Sequence, residues 1–491
     1  MKKILFLLPI LLISCQSQVQ KELPIIAPKG FESIRNEIIQ LVKEGKTPSF
    51  SVAVLQDGKI IWKEVFEQTT DTSIVSILSN AQYPIASLTK SMSATALLKL
   101  VEKGEISLND RIEEYLPNKV TYYGRESSTV RELLNMTSGI PHGWMYFDTN
   151  STYASFTNDD LITNYGMAVF PEGIYEYSNY AYGIVEAIIE NVSGKTYAEV
   201  LQEEIFDPLG MNNSFITPNS TNKLENFNTI NELGHSSKFF PNGGAGVYST
   251  LSDLILYARL NLKELDESII SYNTLDKLHY DKIYPSTLTA LGWGSIPLGD
   301  NLNWLISNGS FPNSANSNLT IIPENKIAII CLANRDYQST ADIVAIKIAD
   351  ILVPGFANKA FEKMENYESD DKKELNMDSN KYSTWQGVMK HGKTEIPIDL
   401  VYKSDSLHVA FDNGKWQSIK YATIDHQSII RGGGLTISLK NPITKQIEES
   451  KGNINLLISE NKLQGYFSAK FIKEDVFDLG LPYYMVAHGR D

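Results

Sequence analysis

Residues 87–90 read Ser87-Leu88-Thr89-Lys90, a hydroxyl and an amine three positions apart at the head of a predicted helix. Three positions make nearly one helical turn, so the two side chains share a face and the amine can act on the hydroxyl proton. The helix is read from Ala94, Leu97, Leu98 and Val101, an apolar stripe at i, i+3, i+4, i+7 that closes at Gly104, a residue suited to a C-cap. Ser87 then stands at the positive end of the helix dipole, where a developing oxyanion is favoured. An S-x-x-K match alone is commonplace and usually means an N-cap serine beside a surface lysine, so its meaning depends on what the rest of the chain brings to it.

A second element is Tyr177-Ser178-Asn179, reached through Pro171-Glu172-Gly173-Ile174-Tyr175, a turn-rich approach that suits a loop presenting polar groups. A Tyr and an Asn delivered by a loop would complete the Ser–Lys pair as proton carrier and hydrogen-bond partner. Tyrosine is otherwise an ordinary residue here, with 25 in the chain.

Through these residues the chain resembles the serine β-lactamase-related hydrolases, which include class C β-lactamases, DD-peptidases, D-aminopeptidases and related esterases. Tyr83 to Lys90, with Leu100-Val101-Glu102-Lys103-Gly104 and Ile106-Ser107-Leu108-Asn109-Asp110, resembles the family's nucleophile helix and the turn after it. Leu133-Leu134-Asn135-Met136-Thr137-Ser138-Gly139-Ile140-Pro141 is similar to its "LLxHTSGLP" stretch, with Met136 where His is common. Pro171 to Asn179 is similar to "PGxxYxYSN", and Pro241 to Thr250 with Ser252-Asp253-Leu254 is similar to "PAGGLYSTxxDL". The resemblance runs from about Phe31 to about Ile351. It implies an α+β fold of the β-lactamase/transpeptidase type and two-step acyl transfer: Ser87 attacks a carbonyl, an acyl-enzyme forms, and water releases it. Ser87, Lys90 and Tyr177 are the implied catalytic residues, with either Lys90 or Tyr177 as the base. Asn179 would bind a substrate amide or orient Lys90. No cofactor is implied.

The third element of the family, a Lys-Thr-Gly or His-x-Gly triplet on the strand facing the serine, is altered. Trp304-Leu305-Ile306 leads into Ser307-Asn308-Gly309-Ser310. Aligning on Pro323-Glu324 puts Asn308 in the cationic position, and aligning on the glycine puts Ser307 there; neither is charged. The oxyanion hole would use the backbone N–H of Ser87 with that of Ser310 or Phe311. A hydrogen bond to a charged group is worth about 1.5 to 3 kcal/mol, so losing the cation would weaken a carboxylate-bearing substrate roughly ten- to a hundredfold. The expectation is a small uncharged ester, amide or peptide bond, with peptidoglycan-derived fragments among the candidates, rather than a penicillin or a D-Ala-D-Ala terminus. The alternative is a catalytically silent binder of a cell-wall fragment or peptide, and a further one is a DD-peptidase or β-lactamase.

Around these motifs the periodicities predict one antiparallel sheet with helices at both ends of the domain. Phe31, Ile34, Ile38 and Leu41 mark a first helix. Residues 50–55 and 59–63 form a hairpin around Asp57-Gly58, and 319–322 with 326–332 form another around Pro323-Glu324-Asn325. Ala341, Val344, Ile348 and Leu352 mark a last helix. The stretch from about 87 to 250 is a mainly helical insertion. The hydrolase domain is expected over 29–355 and a charged linker or solvated helix over 356–380. A separate antiparallel barrel or sandwich over 381–491 is read from the short runs 396–402, 407–411, 435–439, 454–458 and 463–467.

Residues 1–14 combine lysines at positions 2 and 3, an apolar run and the sequence Leu12-Ile13-Ser14-Cys15, a secretory signal with a lipobox. Cys15 is the expected lipidated N-terminus, 15–28 the tether, and the bacterial cell envelope the expected location, with the membrane as partner through the anchor. A net charge of −14 without basic clusters argues against nucleic acid. The seven histidines, His142, His235, His279, His391, His408, His426 and His488, form no metal-ligand spacing, so no metal site is expected. His142 and His235 lie nearest the proposed cleft. Gly432-Gly433-Gly434 reads as a hairpin turn. Cys331, in an apolar strand, reads as a buried thiol, and no disulfide is expected.

Overall fold

The structure is a computed structural model that describes residues 24–68, 74–77, 81–148, 157–216, 237–283, 288–311, 315–334, 339–371, 373–375, 377, 382–391, 394–425, 427–440, 446–471 and 476–490. The signal segment 1–14, Cys15, the start of the tether, His235 and His426 lie outside the described residues.

Seven antiparallel strands make the first sheet, in the order Gly294–Gly299, Leu302–Phe311, Ala315–Ile322, Ile327–Asn334, Ser49–Gln56, Lys59–Gln68 and Ile74–Ile77. The strands at the two ends of this domain meet in its middle, with Val54 opposite Ile329. Both are mostly apolar and buried along nearly their whole length because both faces are covered. Period-2 alternation sends Phe50, Val52, Val54, Ile329 and Cys331 to one side, against the helices Glu32–Lys43 and Thr340–Leu352. Ala53, Leu55, Ala328, Ile330 and Leu332 face the other side, toward the helical insertion.

Within the first helix the buried stripe is Ile34, Ile38 and Val42, one position past the expected Leu41. The helix Thr89–Glu102 departs further from its amphipathic reading, because everything from Thr89 to Leu100 is buried. Its polar side chains bond internally: Ser91 Oγ donates to the Leu88 carbonyl at 2.8 Å, and Ser93 Oγ to the Gly243 carbonyl at 2.7 Å. Around it stand Val130–Leu134, Asn158–Tyr165, Asn179–Ser193 and Leu251–Asn261.

The segment expected as a linker or solvated helix begins as the helix Phe356–Asp371, whose Phe356 and Ala360 are buried in the terminal-helix core. Beyond it lies a curled antiparallel sheet. It includes Thr384–His391, Thr394–Lys403, Ser406–Phe411, Ile429–Lys440, Ile447–Ser459, Lys462–Lys470 and Val476–Gly489. Gln417 ties its two flanks together: its amide donates to the Thr436 carbonyl at 2.7 Å and accepts from the Thr436 N–H at 2.8 Å. Gly432-Gly433-Gly434 is not a turn; it lies inside Ile429–Lys440, where the register slips between Gly432 and Leu435, a bulge that glycines permit.

The sheet is also less separate than its sequence suggests. The strand Trp144–Asp148 from the insertion pairs with Val476–Gly489, and Ser237–Phe240 pairs with Trp144–Asp148 in turn. Among the described residues no helix is long and apolar enough to cross a membrane.

Candidate active site

Ser87 sits in a short 3-10 turn, Ala86–Leu88, that runs directly into the Thr89–Glu102 helix. The turn is pinned on both sides: Ile85 N–H donates to the Val247 carbonyl at 3.0 Å, and Ser317 Oγ donates to the Ile85 carbonyl at 2.6 Å. Ala86 is held at φ 46°, a left-handed conformation that an L-residue adopts only when its surroundings impose it. Gly309, on the facing strand, lies so close that a Cβ there would come within 2.4 Å of Ser87 N and 2.5 Å of the Ile85 carbonyl. Only glycine lets the strand Leu302–Phe311 approach the nucleophile backbone this closely.

Lys90 is buried, and its Nζ has three acceptors: Ser87 Oγ at 3.1 Å, Asn179 Oδ1 at 2.6 Å and the Gly244 carbonyl at 2.7 Å. Burial holds the ammonium well below the ordinary lysine value. Tyr177 Oη lies 2.6 Å from Ser87 Oγ, and the Tyr177 ring lies 4.8 Å from Lys90 Nζ. Desolvation raises the Tyr177 phenol above its ordinary value, while the residue as a whole stays 36% exposed. The three residues predicted to act together therefore converge, and Asn179 joins them through Lys90.

The loop carrying Tyr177 is fixed from several directions. Ser178 caps the helix Asn179–Ser193 by accepting from Ala181 N–H at 2.9 Å, and its hydroxyl donates to the Pro141 carbonyl at 2.8 Å. Glu176 N–H donates to the carbonyl of Met136, itself at φ 61°. Next to Tyr177, Glu176 is buried and paired with Arg431 from the C-terminal sheet at 2.9 Å, and it also accepts from the Tyr466 hydroxyl. Arg431 is steadied by Asp425 at 3.3 Å and Asn455 at 2.8 Å. Gln427 brackets Tyr175 by accepting from its N–H at 2.7 Å and donating to its carbonyl at 3.2 Å.

Behind the site, Glu186 accepts from Gly243 N–H at 2.8 Å and from the Asn242 amide at 3.0 Å, holding the segment whose Gly244 carbonyl meets Lys90. Burial pushes Glu186 up to about 7. His142 lies with its ring 5.2 Å from Tyr177 and 4.7 Å from Trp144, and its Nδ1 accepts from Asn179 N–H at 3.4 Å. Burial, reinforced by the positive charges of Lys90, Lys470 and Arg431, holds it down to about 3, so it is a neutral ring.

Strand alternation decides between Ser307 and Asn308. Ser307 and Gly309 face the nucleophile turn, with Ser307 Oγ donating to the Leu88 carbonyl at 3.4 Å. Asn308 points to the opposite face, where its amide donates to Asp342 of the Thr340–Leu352 helix at 2.9 Å, so it does not line the cleft. Ser307 thus occupies the side of the strand where the family's cation would stand. The register of this strand with Gly294–Gly299 ends at Ile306. Phe311 closes a small apolar cluster with Ala86 and Ala245. The residues that sequence reasoning missed are Arg431, Gln427, Tyr466 and Trp144. The first three stand more than 250 positions from the loop they hold, and no local pattern marks them. Among the described residues no group of three His, Cys, Asp or Glu side chains could hold a metal ion.

Fold and site together define a serine-hydrolase class with a transpeptidase-like sheet. The chain matches the Beta-lactamase family over residues 34–352, more than half its length, and belongs to that family. Penicillin-binding protein 4* of Bacillus subtilis is 31% identical over 176 residues, 34% of this chain and 38% of that protein, so the match spans little more than a third of that relative. A solved octameric penicillin-binding protein homologue from Pyrococcus abyssi has a TM-score of 0.55 at 21% identity, covering 93% of this chain and 100% of that one. SurE solved with D-Leu has a TM-score of 0.57 at 16% identity, covering 94% of this chain and 99% of that one. At those identities the likeness speaks for the fold alone, and it extends over both the hydrolase part and the C-terminal sheet.

Proposed function

We propose that the chain is a serine hydrolase that forms an acyl-enzyme on small esters, amides or peptides. The observation that carries this reading is the meeting of Ser87 Oγ with Lys90 Nζ at 3.1 Å and Tyr177 Oη at 2.6 Å. An ammonium at position 90 spends all three hydrogens on Ser87, Asn179 and Gly244. A neutral amine spends two on the Asn179 and Gly244 oxygens and turns its lone pair to the Ser87 hydroxyl. That arrangement, with the depressed Lys90 value, favours Lys90 as the group that accepts the serine proton.

Ser87 Oγ then bonds to the substrate carbonyl carbon. The proton passes through Lys90 and Tyr177 to the leaving oxygen or nitrogen as its bond to carbon breaks, and water repeats the sequence in reverse to free the acid. The Ser87 and Ser310 N–H groups are the oxyanion donors in this reading, supported by the close approach of Gly309 to the Ser87 backbone. The uncharged Ser307 disfavours β-lactams. The lysine-led apolar run before Leu12-Ile13-Ser14-Cys15 supports a lipid-anchored protein of the bacterial cell envelope acting on small or peptidoglycan-derived substrates.

The test is labelling with a fluorescent fluorophosphonate, on wild type and Ser87→Ala, beside turnover of p-nitrophenyl acetate and nitrocefin. Wild type labels, Ser87→Ala does not, and ester turnover exceeds nitrocefin hydrolysis. An unlabelled wild type would instead mark a silent binding protein.

A further inference from the structure

Among the cations around the cleft, Lys90 is occupied by its three acceptors, and Arg431 is bound to Glu176 and Asp425. Lys470 differs: among the described residues no carboxylate pairs with it. It ends the strand Lys462–Lys470 and stands opposite Gly480, which stands opposite Trp144 on the next strand. The middle position of this three-strand row has no side chain. The Lys470 stem therefore crosses it, and Nζ lies 5.2 Å from the centre of the Trp144 ring. The gap is specific, because a Cβ at Gly480 would fall 2.9 Å from the Trp144 ring.

Trp144 in turn packs on Ala86, Ala245 and Phe311, which are the residue before the nucleophile, the segment that binds Lys90, and the end of the strand facing Ser87. The indole also lies against His142, whose ring faces Tyr177, and the Lys470 charge reaches His142. Among the described residues this half-buried lysine has no counter-charge, and a carboxylate brought by a substrate would supply one.

We infer that Lys470, seated on Trp144 by the C-terminal sheet, is a specificity residue that binds a carboxylate of the substrate, supplying from a second domain the positive charge that Ser307 lacks. This deepens the acyl-transfer reading of the Ser87 cleft and rests on it. The substrate class narrows to acyl compounds carrying a free carboxylate away from the bond that is broken. Arginine would keep the charge and methionine the stem.

The test uses two isosteric pairs of esters and the full-length protein. One pair carries the charge on the acyl side, p-nitrophenyl glutarate against p-nitrophenyl glutaramate. The other carries it on the leaving group, 4-acetoxybenzoic acid against 4-acetoxybenzamide. Wild type is expected to prefer the acid in at least one pair by about tenfold or more in kcat/KM, mainly through KM, with the preference shrinking as salt rises. Lys470→Met is expected to bring that ratio near one, and Lys470→Arg to restore most of it. A wild type without acid preference, or a Lys470→Met that lowers both members of each pair equally, overturns the inference. Fluorophosphonate labelling separates this from failure of the underlying reading: label at Ser87 without acid preference removes the role of Lys470 alone, whereas an unlabelled Ser87 removes both.

Discussion

Lys90 shows how much a single side chain's surroundings decide. Its amine is buried, ringed by one hydroxyl and two carbonyl oxygens, and held well below the ordinary lysine value by loss of water. The sign for the proposed acyl transfer follows: with the neutral amine as the working form, kcat/KM is expected to fall as pH drops through the depressed Lys90 value and to level off above it. The acidic limb is expected well below the ordinary lysine pKa of about 10.4, and Lys90→Met is expected to lower kcat by about a hundredfold or more. Steady-state kinetics across pH check both. Ser87, Lys90 and Tyr177 were legible in the sequence because a one-turn spacing and a turn-rich approach are local signals. The left-handed Ala86 and Met136 were not, since tertiary contacts impose those conformations on residues that do not prefer them.

At the scale of elements, what matters is which way a strand starts. Residues 302–311 were open to two alignments because a shift of one position exchanges the faces of every side chain. The structure turns Ser307 toward the Leu88 carbonyl and gives Asn308 to Asp342 on the far side. The loop before Tyr177 depends on a different kind of information. Its Glu176 is matched by Arg431 at a separation of 255 residues, a pairing no periodicity records. Breaking one half of a buried pair leaves a desolvated charge and costs about 3 to 5 kcal/mol. Arg431→Met is therefore expected to destabilise the protein by up to that amount and to lower kcat more than it raises KM, because Tyr177 follows Glu176 directly. Adding Glu176→Gln to Arg431→Met is expected to recover part of the stability, read from urea unfolding of the two single variants and the double variant.

The whole molecule is held together by sharing rather than by docking of two finished bodies. Trp144–Asp148 leaves the insertion to pair with Val476–Gly489. Met167, Val169 and Phe170 bury themselves with Ile429, Tyr466 and Tyr484. Gln464 donates to the carbonyls of Tyr123 and Val169, both at 2.7 Å. A chain ending at residue 355 would expose that apolar surface and an unpaired strand edge. It is expected to aggregate or to lose ester turnover, which size-exclusion chromatography and the esterase assay would report. The sheet around Ser49–Gln56 and Ile327–Asn334 was readable from its hairpins, and so were the short strands of the C-terminal part. Their interweaving was not, because residues 144–148 resemble a loop until their partner strand is known. The rim of the cleft is thus lined by strands that stand hundreds of positions beyond the serine in the chain. If Lys470 reads the substrate as proposed, a nascent chain carries the serine, lysine and tyrosine long before it carries the residue that selects among substrates.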